Sequence, residues 1–258
     1  MLASLYTSSP ALSSAAVSPG FFLLLLGSAV FVGSSVQRVT GLGFGLVAAP
    51  ALVLLLGPVD GVTLANCAGV VISGIGLTTT WRRVRLRSMV PLVAAAAVTV
   101  PLGAYTARTL PEPVLLISMG VVVTAAVLFI VSGYRTGSLR GTPGALAAGA
   151  ASGFLNSSAG VGGPAVSLYA INAGWTAREF LPNAQFYGLV VNLISIGAKG
   201  VPELSGSAWS LCAATMAVGL VVGHLLASRL PERRARAVLL GLALAGGLVT
   251  TLKGLLAL

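Results

Sequence analysis

Two short polar breaks interrupt an otherwise apolar chain, and both carry residue types suited to holding an anion. The first is Gln37-Arg38-Val39-Thr40-Gly41-Leu42-Gly43, and the second is Asn156-Ser157-Ser158-Ala159-Gly160-Val161-Gly162-Gly163. Each puts glycines at or just before the start of a short apolar run: Gly41, Gly43 and Gly45 in one, Gly160, Gly162 and Gly163 in the other. Glycine lets a backbone approach a ligand closely, and a helix N-terminus offers free N–H groups and a partial positive charge. Two such tips meeting from opposite faces of a bilayer would form an anion site. Gln37, Arg38, Thr40, Asn156, Ser157 and Ser158 would supply side chains around it, and Asn192 and Gln185 lie on a later segment that reaches a cavity or bonds to a neighbouring helix. An arginine at membrane depth is costly and marks function, whereas one that snorkels to water does not; both readings of Arg38 stand. For the glycines the competing reading is close helix packing. If they line a site, valine at Gly43 or Gly162 is expected to abolish binding and to spare stability.

The remaining reactive residues are few. Asp60, Glu112, Glu179, Glu203 and Glu232 all fall at segment ends or in loops, so no carboxylate sits mid-span to bind sodium or relay protons. His224 is the single histidine, read as a helix-packing hydrogen bonder in preference to a proton carrier. Cys67 and Cys212 lie inside apolar segments with no metal-type or redox spacing, and read as small packing residues. An enzyme needs a nucleophile with a base, or metal ligands, at one place; this pattern provides neither. No metal or other cofactor is expected.

The elements that must position the breaks are bilayer helices. Of 258 residues, 56% are hydrophobic and 8% charged, with a mean hydropathy of +0.99. A soluble domain carries roughly a quarter charged residues, so this surface faces lipid. The net charge of +10 comes from 15 basic residues set mostly in short loops, which signals topology and not nucleic acid. Residues 1–20 form a polar N-terminal segment without Lys or Arg; lacking the basic flank of a signal peptide, the first apolar run is expected to be retained. Apolar runs follow at Phe21–Val36, Phe44–Leu56, Gly61–Thr80, Met89–Ala107 and Val114–Tyr134. After a linker at Gly137–Thr142 they recur at Pro143–Leu155, Pro164–Ile171, Asn183–Ala198, Ala208–Ala227 and Ala237–Leu256. Trp81, Tyr134, Trp175 and Trp209 sit near segment ends, as interfacial anchors do.

This order repeats. Gly41 and Gly160 lie 119 positions apart, as do Gly43 and Gly162, Asp60 and Glu179, and Gly69 and Gly188. After one insertion the spacing is 120, matching Gly103 to Gly223 and Leu110-Pro111-Glu112 to Leu230-Pro231-Glu232. The acidic matches carry the inference, because the chain has only five acidic residues. The expected plan is a first transmembrane repeat over residues 21–136 and a second over 137–258. A span needs about 20 residues at ~1.5 Å each to cross a core of ~30 Å, so Phe44–Leu56 and Pro164–Ile171 cannot cross alone. Each broken segment is a re-entrant hairpin or one interrupted span. Only the hairpin puts both basic clusters, Arg82-Arg83-Arg85-Arg87 and Arg229-Arg233-Arg234-Arg236, on one cytoplasmic side, leaving Arg108 and Lys199 as exceptions outside. A hairpin plus three spans inverts the second repeat relative to the first and puts both termini outside. The predicted fold class is an all-α polytopic membrane protein of two inverted repeats, each a broken helix or re-entrant hairpin plus three transmembrane helices.

Gln37 with Thr40-Gly41-Leu42-Gly43-Phe44-Gly45-Leu46-Val47-Ala48-Ala49-Pro50 resembles the first-repeat motif of the TauE/SafE sulfite exporter family. Ser158-Ala159-Gly160-Val161-Gly162-Gly163-Pro164-Ala165-Val166-Ser167-Leu168-Tyr169 resembles its second. The resemblance spans the chain from about Phe21 onward. It implies an anion permease, of the type that includes four-toluene-sulfonate uptake permeases, for sulfite, sulfonates such as sulfoacetate, or related organic anions. The expected partners are a small anion and the lipid bilayer, with no nucleic acid and homo-oligomerisation left open. The expected location is the cell membrane, with multiple passes. The rival readings are a non-transporting membrane assembly protein and a carrier of neutral or cationic solutes.

Overall fold

The computed structural model describes residues 18–41, 43–132, 140–227, 229 and 231–258. The N-terminal polar segment up to residue 17, Leu42, Tyr134, Arg135, residues 137–139 of the 137–142 linker and Leu230 lie outside the described residues. Among those described, the chain forms ten α-helices and no strand. The first five are α1 (Pro19–Thr40), α2 (Phe44–Leu56), α3 (Pro58–Thr80), α4 (Leu86–Thr109) and α5 (Glu112–Ser132), with a short 3-10 turn at Trp81–Arg83. The second five are α6 (Gly141–Ala159), α7 (Gly163–Asn172), α8 (Ala177–Lys199), α9 (Gly206–Ala227) and α10 (Glu232–Leu256). A long helix, a short one and three long ones thus occur twice. Six helices are long and apolar enough to cross a membrane. The protein is an all-α, multi-pass membrane protein.

The polar breaks are narrower than their composition predicts. Helix α1 runs on through Gln37, Arg38 and Thr40 and stops at Gly41, whose φ of 79° is left-handed. Helix α6 likewise runs through Asn156, Ser157 and Ser158 and stops at Gly160, with φ 72°. A polar side chain does not end a helix; a residue that readily turns left-handed does, because its N–H then closes onto the last turn. Gly41 N–H donates to the Gln37 carbonyl at 2.8 Å, and Gly160 N–H donates to that of Asn156 at 3.0 Å.

Both broken segments are hairpins. Phe44 and Ala48 of α2 pack against Gly33 of α1, and Leu55 and Leu56 at the far end of α2 share a cluster with Phe22 and Leu23 at the start of α1. In the second set, α6 runs parallel to α4, with Gly149 on Leu92 and Gly153 on Ala96, and Arg85 just before α4 bonds Asn183 near the start of α8, so α6 and α8 start at the same face. Each short helix therefore brings the chain back to the face it left. Helix α1 satisfies the length for a span yet does not deliver the chain across. The reverse holds for α8, whose 23 residues are too polar to rank among the six apolar spans.

The packing exchanges partners between the two halves. The most extensive pairings are α4 with α6, α1 with α9, α5 with α10 and α3 with α8. Swapping the first five helices for the second five maps this set onto itself. The equivalence reaches single atoms. A Cβ added at Gly103 of α4 would stand 2.5 Å from the Phe154 carbonyl oxygen of α6, and one at Gly223 of α9 would stand 2.5 Å from the Ser35 carbonyl oxygen of α1. Phe154 and Ser35 are themselves 119 apart, as the duplication requires.

The basic clusters share one face. Arg85, just before α4, donates its backbone N–H to Asn183 Oδ1 near the start of α8 at 2.8 Å. Arg236 in the first turn of α10 reaches the Ile130 carbonyl near the end of α5. The basic residues at the opposite face are accounted for individually. Lys199 Nζ donates to the Ser157 carbonyl at 2.9 Å, Arg108 Nη2 to the Lys199 carbonyl at 2.8 Å, and Lys253 Nζ to the Leu54 carbonyl at 3.2 Å. All three sit on the negative C-terminal ends of helices, α6, α8 and α2 respectively, where a cation is stabilised and the last carbonyls need donors. In a background with both native cysteines replaced by alanine, Arg87→Cys and Arg234→Cys should react with an impermeant maleimide from one side of the membrane. Ser207→Cys should react from the other. Labelling of Arg87→Cys and Arg234→Cys from different sides would break the hairpin topology.

Candidate functional site

The tips of the two hairpins touch. The Gly160 carbonyl at the end of α6 lies against Gly45 in the first turn of α2, so closely that a Cβ there would collide with it. Each tip is tied by its own side chains. Gln37 Oε1 accepts from the Phe44 N–H at 2.7 Å, bridging α1 to α2, and Ser152 Oγ donates to the Gly162 carbonyl at 2.7 Å. Beside the junction lies a cavity of about 1100 Å³. Its lining reaches Thr80, Ile130, Leu181, His224 and Arg236, all near helix ends on the basic face. The cavity therefore runs from the crossing of the two tips to that face.

An amide cluster lines the inner end. Asn156 Nδ2 donates to Asn192 Oδ1 at 2.9 Å, and lies 3.3 Å from Ser195 Oγ and 3.4 Å from Asn66 Oδ1. Helices α3 and α8 can approach here because glycines face polar side chains: Gly69 faces Asn192, Gly188 faces Ser73, and Gly76 faces Gln185. These contacts obey the 119-residue equivalence, which relates Gly69 to Gly188 and Ser73 to Asn192. Asn66 and Gln185, equivalent by the same spacing, each line the cavity and keep one buried amide atom without a partner, Nδ2 and Oε1 respectively. An unsatisfied buried polar atom costs about 1–3 kcal/mol, and two stand at this end of the cavity.

Of the residues that the sequence singles out, Gln37, Arg38, Thr40, Gly41, Gly43, Asn156, Gly160, Gly162, Gly163 and Asn192 all line this one cavity. Ser157 and Ser158 do not. A helix turns by about 100° per residue, so with Asn156 facing the cavity the next two positions face its neighbours. Ser157 is fully buried with its carbonyl on Lys199, and Ser158 Oγ returns to the Phe154 carbonyl at 2.7 Å. The expected room at Gly43 and Gly162 is also corrected. A Cβ at Gly162 falls 2.8 Å from Asn156 Cβ and from the Ser152 carbonyl, and one at Gly43 collides with Leu239 Cδ1. Gly163 is the open position, with nothing within 4 Å of an added Cβ. The cavity also uses Asn66, Ser73 and Arg236, which sequence reading passes over. The 119-residue spacing pointed to Asn66 and Ser73, as equivalents of Gln185 and Asn192.

The charge of the lining is one-sided. Arg38 and Arg236 line the cavity, and no Asp or Glu does so among the described residues. Arg38 Nη2 stands 3.4 Å from His224 Nδ1, linking the end of α1 to α9 at the mouth. A multi-pass helical protein with two touching hairpin tips and a positively charged cavity beside their junction has the architecture of a transporter. Residues 25–250 match the family described as Sulfite exporter TauE/SafE, and the chain belongs to that family. It is a membrane transporter of the anion-exporter type. No curated protein and no solved structure matches it.

Proposed function

We propose that this protein is a cell-membrane permease for small oxyanions, with sulfite or a sulfonate as substrate, working by alternating access between two inverted repeats, residues 21–136 and 137–258. The observation that carries this reading is the cavity lining, which among the described residues holds two arginines and no carboxylate between the crossing of the tips and the basic face. An oxyanion entering there exchanges its hydration for guanidinium and amide donors, whose hydrogen bonds to charge are the strong kind. A cation in the same place would meet uncompensated like charge.

With the basic face cytoplasmic, as the positive-inside rule has it, the cavity opens to the cell interior. At the opposite face Lys199 holds the Ser157 carbonyl, fastening the end of α8 to the tip of α6. The equivalent positions on the basic face, at the 119-residue spacing, are Thr80 and Arg38, and both line the open cavity. Exchange of the two repeats' conformations would bring Arg38 to the end of α3 and release Lys199 from α6. Arg38 would then both meet the anion and close behind it. An anion leaving an inside-negative cell is driven by about 2.3 kcal/mol per charge per 100 mV, so export needs no coupling ion.

Proteoliposomes loaded with radiolabelled sulfite test this. Efflux should follow an imposed potential and be indifferent to sodium and proton gradients. Absence of flux for sulfite, sulfate and simple alkanesulfonates would favour the assembly-protein reading. Flux restricted to neutral or cationic solutes would favour the other rival.

A further inference from the structure

A second recess lies outside the cavity described above and shares no lining residue with it. A recess of about 690 Å³ at the basic face is lined by Arg83 and Arg85, before α4, and by Arg178 and Glu179, in the first turn of α8. Glu179 is already committed. Its carboxylate pairs with Arg85 and accepts from the Thr176 N–H at 2.9 Å and the Thr176 hydroxyl at 3.1 Å, closing a capping box on α8. That contact is the one ion pair among the described residues. Arg83 and Arg178 therefore bring two positive charges to the recess with no carboxylate paired to either.

The surroundings identify the kind of ligand. Leu86 and Val90 of α4, one turn apart and 59% and 64% exposed, make a short apolar rail that starts beside the recess. Trp81, 61% exposed with the Arg82 guanidinium 5.7 Å from its ring centre, marks the level of the interface. Acyl chains lying on that rail would put their headgroup phosphate among the arginines. Guanidinium groups suit this task because their planar fork matches two phosphate oxygens at once. We propose that this recess binds the headgroup phosphate of an anionic phospholipid, joining the α3–α4 turn to the start of α8.

The test uses the purified full chain and phosphatidylglycerol, with phosphatidylethanolamine and inorganic phosphate as separate arms. Native mass spectrometry should show phosphatidylglycerol retained in preference to phosphatidylethanolamine. The double variant Arg83→Gln/Arg178→Gln should weaken that retention by about thirtyfold, at roughly fivefold for each basic residue near a membrane surface. Because both side chains are exposed, its melting temperature without lipid should match that of the parent. Arg234→Gln, in the other basic cluster, should retain the lipid normally. Unchanged retention in the double variant would overturn the proposal, and so would equal loss in Arg234→Gln, which would mean diffuse charge attraction. Saturation of the recess by millimolar inorganic phosphate, with no preference for the lipid, would reassign the site to a soluble anion and overturn the lipid source. Sulfite flux is read in parallel: loss of flux with lipid retention intact would count against the transport reading alone.

Discussion

Arg38→Gln is expected to raise the half-saturating sulfite concentration for transport by one to two orders of magnitude, with protein yield and melting temperature nearly unchanged. Arg38 is one of two positive side chains lining the cavity, and it stands on the last turn of α1 beside the tip. A hydrogen bond to a charged group contributes about 1.5–3 kcal/mol, and each 1.4 kcal/mol is a factor of ten. Stability should hold because the side chain is exposed in the cavity and its contact is to His224 at 3.4 Å. Lysine in its place should recover part of the affinity, since the charge returns without the fork. Glutamate should abolish binding outright. The measurement is sulfite flux against concentration in proteoliposomes, with melting curves on the same preparations. An unaltered concentration dependence in Arg38→Gln would mean that the anion passes without meeting this residue.

Gly103→Val and Gly223→Val should each cost about 3 kcal/mol or more of stability, and by similar amounts. Both added side chains would be driven into a backbone carbonyl, that of Phe154 or of Ser35, and a carbonyl held in a helix cannot step aside as a side-chain end can. The helices α4 and α6, or α9 and α1, would have to separate along their length. Gly163→Ala is the contrast, since its Cβ meets open space. It should melt within about 1 kcal/mol of the parent while narrowing the cavity and changing which anions compete with sulfite. Chemical denaturation in detergent reads the first pair, and competition by alkanesulfonates of increasing length reads the third. A large loss in only one of Gly103→Val and Gly223→Val would argue against structural equivalence of the two halves.

Much of this was legible in the chain because duplication writes each constraint twice. The two hairpins were read from the arginine clusters and the paired breaks from the glycine spacing, whereas the left-handed stops at Gly41 and Gly160 appear only in the structure. Helix ends were harder. Gln37, Arg38, Asn156 and Ser157 look like loop by composition, yet helices α1 and α6 carry them to the glycine that stops each. Which polar residues face the cavity was legible only in part, because the roughly 100° turn between neighbours decides it and nothing in the type of Ser157 sets it apart from Asn156. Asn66 and Ser73 were lost as lone polar residues in an apolar run. The tight packing at Gly43 and Gly162 depends on Leu239, Ser152 and Asn156, and Leu239 is remote in sequence, so no local pattern announces it.

The polarity of α8 has a bearing on what covers it. Its equivalent, α3, is long and apolar enough to cross a membrane by length and composition. Helix α8 carries buried Asn183, Gln185, Ser195 and Lys199 and does not meet that standard. Helix α3 precedes it in the chain and arrays Gly69, Ser73 and Gly76 along the side that α8 covers. The polar side of α8 is thus covered by the side of α3 that carries these small residues.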